Sequence, residues 1–185
     1  SVVIAHHDGD RLDVHWSTVV ASTRRTHATM NTMKVELVEI GDDNVEAVMA
    51  VAVAEHQVRF VGSVRGALED AHDYPEGNPW YRGIVADGTV VGFVMLSWNV
   101  TPQPPRIIGP WFLWKLIIDQ NHQGRGIGRE VVQIVAEIVR AENGTELLTS
   151  YGPIADGPAG FYARLGFVPT GDVDDNNEII VSLAV

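Results

Sequence analysis

Residues 111–129 read WFLWKLIIDQNHQGRGIGR, and the reading of the whole chain turns on them. From Trp111 to Ile118 every residue but Lys115 is apolar. That is the pattern of a central strand covered on both faces. Asp119-Gln120-Asn121-His122 interrupts the run, and Gln123-Gly124-Arg125-Gly126-Ile127-Gly128 follows. Ile127, Val131, Ile134, Val135 and Ile138 then recur at helical spacing. Asn143-Gly144 closes that helix with a left-handed stop. A glycine-rich turn between a central strand and a helix N-terminus binds anions by construction. Missing side chains let backbone N–H groups converge, and the helix dipole adds partial positive charge. Arg125 and Arg129 bring full charges to the same mouth. A pyrophosphate is the natural guest.

Other glycine motifs fit less well. A P-loop ends in Gly-Lys-Ser/Thr, whereas here Gly128-Arg129-Glu130 follows. A dinucleotide fingerprint is spaced G-x-G-x-x-G and opens its domain, and neither condition holds. On these residues alone, a turn that merely eases entry into a helix stays open.

Working outward, the pattern alternates between strand and helix. Val35, Leu37 and Val38 mark an opening strand. Asp43 with Glu46 forms a potential capping box, and Val45, Val48, Met49 and Ala52 share one helical face. A second helix is expected over 63–72, and 73–79 reads as loop. Residues 81–86 and 89–98 are strand-like and flank Asp87-Gly88, a two-residue hairpin signal. Four prolines make 101–110 an irregular connection.

Composition narrows the function. The 185 residues hold ample apolar material for one core, at a mean hydropathy of +0.04. There is no cysteine, which removes disulfides, thiolate nucleophiles and thiolate zinc sites and suits a reducing cytoplasm. A net charge of -11 disfavours a nucleic-acid partner. No apolar run approaches the roughly 20 residues that span a bilayer, so no membrane partner is expected. Residues 1–32 differ from the rest: four of the seven histidines lie there, with no sustained period. They are expected to form an N-terminal extension outside the domain at 33–185. His6-His7-Asp8 supplies too few placed ligands for a metal site, and no metal is expected.

Gln123, Gly126 and Gly128 match the Gln-x-x-Gly-x-Gly motif of the GNAT superfamily of acetyltransferases, and Ala159, Tyr162, Gly166 and Phe167 match its later Ala-x-x-Tyr-x-x-x-Gly-Phe signature. With the strand order, the resemblance covers about residues 33–185. Trp114-Lys115-Leu116-Ile117-Ile118-Asp119 and Gln57-Val58-Arg59-Phe60-Val61 are similar to the bacterial diamine and spermine/spermidine branch. One departure is Asp156, where many members carry asparagine.

The resemblance implies an α/β GNAT fold, a mixed, mostly antiparallel sheet of six or seven strands with helices on both faces. It implies acetyl-CoA as co-substrate and a small primary amine, first of all a polyamine, as acceptor. An amine antibiotic, a protein N-terminus, or a non-catalytic CoA-binding sensor are the other readings, and a homodimer is compatible with all of them. Pantetheine would run between the strands at 111–118 and 146–150, pairing with backbone groups of Leu116, Ile117 and Ile118. Residues Gln123 to Arg129, namely Gln123, Gly124, Arg125, Gly126, Ile127, Gly128 and Arg129, would hold the pyrophosphate. Tyr162 would protonate the departing thiolate, with no covalent enzyme intermediate. For the base, Glu55 is preferred over Glu69, Asp70, Asp73 and Glu76 because it adjoins Gln57 and Phe60. Gln57, Phe60 and Trp114 are expected at the acceptor, with Trp80 and Trp98 as further lining.

Overall fold

The computed structural model describes residues 33–155 and 157–185. The expected N-terminal extension and Asp156 lie outside the described residues. The elements follow the expected alternation: β1 (Val35–Val38), α1 (Val45–Met49), α2 (Val58–Val61), α3 (Val64–Asp73), β2 (Pro79–Ala86), β3 (Thr89–Ser97), β4 (Phe112–Ile118), α4 (Ile127–Ala141), β5 (Glu146–Tyr151), α5 (Ala159–Leu165), β6 (Val168–Val173) and β7 (Ile179–Ala184). The strands form one sheet in the order β1-β2-β3-β4-β5-β7-β6. All neighbours are antiparallel except β4 and β5. This is the mixed, mostly antiparallel sheet expected.

Apolar layers cover both faces. On one, Ile127, Val131 and Val135 of α4 pack with Leu147 of β5 and Val181 of β7. On the other, Val48 of α1 and Val64 and Ala67 of α3 pack with Phe93 and Met95 of β3 and Ile117 of β4. The β2–β3 hairpin turns on Asp87 and Gly88, with φ of 49° and 82°. Two successive left-handed residues match the right-handed twist of the flanking strands. At the end of α4 the left-handed residue is Asn143, with φ of 62°. Ser63 caps α3, its Oγ accepting from Gly66 N at 3.1 Å.

Two local expectations are corrected. The cap of α1 is Asn44, with no Asp43–Glu46 box; the Asn44 side chain instead accepts from Gly41 N and donates to Glu39 O. The helix stops at Met49, so Ala52 lies outside it. β4 is central but not covered throughout: only Leu113 and Ile117 are buried within it. The reason is its second neighbour. β4 and β5 pair at Phe112 and Leu148 alone, with Leu148 N donating to Trp111 O at 2.8 Å, and then part.

Candidate active site

The gap left by β5 exposes unpaired backbone. Asp119 N donates to Val91 O at 2.8 Å, and Phe93 lies opposite Ile117 in the antiparallel register with β3. Alternation therefore commits the peptide groups of Ile117 to β3 and turns those of Leu116 and Ile118 toward the gap. Ile117 is thus removed from the expected backbone set, and its side chain is buried under α1 and α3.

A cleft of about 1130 Å³ occupies this gap and reaches both faces of the sheet. On the α4 side lie Leu116, Ile118, Ile127, Phe161 and Tyr162. On the α3 side lie Trp114, Lys115, Asp70 and Phe60. Odd-numbered residues of β5 and β7 (Leu147, Tyr151, Ile179, Val181) pack with the α4 core. Alternation sends Ser150 and the residue just before β7, Glu178, to the opposite face.

The glycine turn stands at the cleft mouth. Gly124 and Gly126 have φ of 73° and 85°, the region favouring glycine, and Gly126 is the N-terminal cap of α4. The first bond at this end runs from Glu130 N to Gly126 O at 3.1 Å. The preceding N–H groups therefore have no partner within the helix. Gly124, Gly126, Gly128 and Arg129 line the cleft, whereas Arg125 is exposed and reaches His122 Nδ1 at 3.0 Å.

Gln123 works as a brace rather than as a free donor. Its Nε2 donates to Gln57 Oε1 at 2.8 Å and to Ile118 O at 2.9 Å, so the turn is tied to both the end of β4 and the segment before α2. Gln57 Oε1 also accepts from Ala54 N at 3.2 Å. Asp119 braces the same corner, accepting from Ala52 N and from Asn121 N and Nδ2. Burial opposes its ionisation, but these bonds and the nearby His122 outweigh it and hold the carboxyl below its usual range.

Tyr162 projects from α5 into the core side of the cleft, 9% exposed. Its ring stacks on Tyr151 at 6.1 Å and meets Phe161 and Phe167 edge-on. Burial pushes its phenol above the usual range, the Thr149 hydroxyl pulls it back in part, and the charge of Glu178 raises it again. The group is therefore a protonated donor across the neutral range. Thr149 Oγ1 donates to Leu113 O at 2.9 Å, bridging the strands where they begin to part.

The carboxylates considered for the base are spread across the molecule. Glu55 sits on the exposed 3-10 turn Glu55–Gln57 and does not line the cleft; Glu69 and Asp73 are likewise exposed and outside it. Asp70 and Glu76 do line it, and each has a cation, Lys115 at 3.5 Å and Arg106 at 2.6 Å. Trp114, Phe60 and Gln57 line the cleft, and Arg59 lies 4.7 Å over the Phe60 ring. Trp80 and Trp98 do not line it; they stack at 5.3 Å, and Trp98 meets Trp111 at 4.9 Å. Ser150, Asp174 and Glu178 also line the cleft, and the sequence reading did not single them out. The signal available was alternation, since Glu178 and Ile180 share a face with Ser150 once β5 and β7 are paired.

An unzipped strand pair, a glycine turn at one end and a buried phenol inside are the features of an acyltransferase cleft. Residues 45–167 match the model of the Acetyltransferase (GNAT) family, and the chain belongs to that family. It is an acetyl-CoA-dependent N-acetyltransferase. The spermine/spermidine N(1)-acetyltransferase of Bacillus subtilis (strain 168) is 26% identical over 153 residues, covering 80% of this chain and 97% of that protein. A probable spermine N(1)-acetyltransferase of Bacillus subtilis subsp. natto (strain BEST195) matches to the same extent. The PaiA N-acetyltransferase of Thermoplasma acidophilum, solved in complex with coenzyme A, superposes with a TM-score of 0.57 at 17% identity, covering 83% of this chain and 100% of that one. That likeness is one of fold. No helix among the described residues is long and apolar enough to cross a membrane.

Proposed function

We propose that the chain transfers the acetyl group of acetyl-CoA to a primary amine of a small cationic molecule, with polyamines as the first class. The observation that carries this is the charge division across the β4–β5 gap. On the α4 side, the free N–H groups of the turn and Arg129 suit a pyrophosphate. The peptide groups of Leu116 and Ile118 suit the amides of pantetheine, and an N–H there would hold the thioester oxygen as charge develops on it. Tyr162 stands where a thiolate would leave. On the other side, Asp174, Asp175 and Glu178 line the cleft against Arg59, which lies over the Phe60 ring and forms no ion pair among the described residues, while Lys115 and Arg106 are each matched by a carboxylate. An ammonium is drawn to that surplus of negative charge. The names of the Bacillus subtilis relatives point to the same acceptor class. The test is a panel of diamines, spermidine, spermine, amino sugars and peptide N-termini, followed by release of free thiol from acetyl-CoA. Polyamines should give the highest kcat/KM. Equal background release with every amine would refute the reading.

A further inference from the structure

We propose that Glu178 is the proton acceptor for the attacking amine, and that Asp174 and Ser150 hold it in position. The inference deepens the amine-acetylation reading above and rests on it. An amine attacking the thioester carbon must come through the β4–β5 gap from the face opposite the carrier, because the α4 side is filled by α5 and its aromatic rings. The base must therefore border the gap on the α3 side. Ser150 of β5 does so, and Glu178, the residue just before β7, continues the same alternation and bonds to it.

Of the other carboxylates lining the cleft, all but Asp175 have partners. Asp70 faces Lys115 Nζ and Glu76 faces Arg106 Nη2. Asp174 accepts on Oδ1 from Asn176 N and Glu178 N at 2.9 Å each, and its Oδ2 lies 3.0 Å from Ser150 Oγ. Asp175 is exposed on the turn. Glu178 accepts through Oε2 from Ser150 Oγ at 2.7 Å, and no other donor reaches its side chain among the described residues. A serine hydroxyl has one hydrogen, so with Asp174 and Glu178 both at bonding distance one carboxylate oxygen is left without a donor. Asp174 already has two backbone donors and is fixed; the open acceptor capacity belongs to Glu178. Its charge also reaches the Tyr162 phenol, which puts the two groups at the same gap from opposite faces.

The proton balance closes. The bound ammonium gives one proton to the Glu178 carboxylate, which passes it to water. The neutral nitrogen forms the N–C bond to the acetyl carbon, the C–S bond breaks, and the thiolate takes a proton from Tyr162. The second nitrogen proton, lost as the amide forms, makes up the one drawn from Tyr162, and one proton is released overall. The charged and titratable groups that share the cleft with Glu178 include Asp174 and Asp175 on the β6–β7 turn, Tyr162 and Arg164 on α5, and Lys115 of β4 with its partner Asp70 of α3.

The test compares wild type, Glu178→Gln and Glu178→Asp on the amine that wild type turns over best. Glu178→Gln keeps the shape and the Ser150 contact. Its kcat should fall by at least about 100-fold, the lower figure for general base catalysis. The acid-side limb of its kcat profile at saturating amine should flatten. The amine KM and acetyl-CoA Kd should hold within a few-fold. Glu178→Asp should recover at least tenfold over Gln and keep the limb. If the Gln variant does not fold, wild type against Asp carries the test: a fall in kcat at constant KM supports the role, and an unchanged kcat overturns it. An active Gln variant with an unchanged pH profile overturns the role, as does a loss confined to amine KM, which assigns Glu178 to binding. In both cases the amine-acetylation reading stands. Wild type inactive on every amine overturns that reading and this role with it.

Discussion

Replacing Tyr162 by phenylalanine removes one oxygen from a site where everything else can stay. The ring keeps its stacking on Tyr151 and its edge contacts with Phe161 and Phe167. The variant loses the hydroxyl's contact with Thr149, whose own donation to Leu113 O is independent of it. One net hydrogen bond contributes about 0.5–1.5 kcal/mol. For a chain of this size that lowers the Tm by roughly 2–4 °C per kcal/mol. Acetyl-CoA affinity should hold within a few-fold by calorimetry, because the hydroxyl matters chiefly once the sulfur carries charge. Turnover is another matter. General acid catalysis contributes about 10²–10⁴-fold, so kcat should fall by at least the lower figure, about 2.7 kcal/mol of barrier. Ionisation gives an independent check. Because burial raises the phenol, its deprotonation should appear above the usual tyrosine range in a spectrophotometric titration, with no loss of donor at neutral pH. The stability tied to that proton is complete below the unfolded tyrosine pKa and is lost as pH rises through the folded one. A Tyr162→Phe enzyme within a few-fold of wild-type kcat on its best amine would refute the acid role and leave this tyrosine as packing.

Three further outcomes follow from the turn and its braces. Gly126→Val meets no atom at its Cβ but forces a β-branched residue into a φ of 85°, a strain of about 1–2 kcal/mol. Relief by peptide rotation would scatter the convergent N–H groups, so acetyl-CoA Kd should rise at least tenfold while circular dichroism stays native. Gln123→Ala removes two hydrogen bonds, about 1–3 kcal/mol together, and should lower Tm by several degrees and weaken acetyl-CoA. Asp119→Ala should cost about 1 kcal/mol as a lost cap. In wild type the Asp119 contribution is present above the unfolded aspartate pKa and lost as pH falls through the depressed folded value, so the variant's deficit should shrink in acid melts.

How much of this was legible in advance depended on whether a feature was local. The hairpin at Asp87-Gly88, the helix stop at Asn143-Gly144 and the glycine turn each occupy a few consecutive residues whose backbone demands are written in their types. The mixed, mostly antiparallel sheet of six or seven strands followed from such signals together with the motif resemblance. Features set by pairing were not legible. Ile117 looks like its neighbours in an apolar run, yet the register with Phe93 decides that its peptide groups face β3. Gln123 reads as a motif donor, but its partner Gln57 is 66 positions away. Ser150 and Glu178 meet only because β5 and β7 are adjacent, and Glu178 stands in a turn rich in Asp and Asn that reads as solvated. Glu55 drew the base assignment because proximity in sequence to Gln57 and Phe60 stood in for proximity in space. It is exposed on its 3-10 turn instead.

The net charge of -11 poses a question that the site geometry answers. A strongly acidic chain repels an anionic carrier at long range, and charges beyond about 8 Å are largely screened at physiological ionic strength. On the function proposed above, affinity for the carrier comes from groups in direct contact: the free N–H groups of the turn, the dipole of the fifteen-residue helix α4 and Arg129. On the same proposal the acidic background favours a cationic acceptor, since Asp174, Asp175 and Glu178 extend it to the face of the gap opposite α4. Parting β4 from β5 after a single residue pair keeps these two fields on opposite faces of one sheet. The thioester carbon, at the level of the gap, is where a cationic amine and an anionic carrier can meet without either entering the other's site.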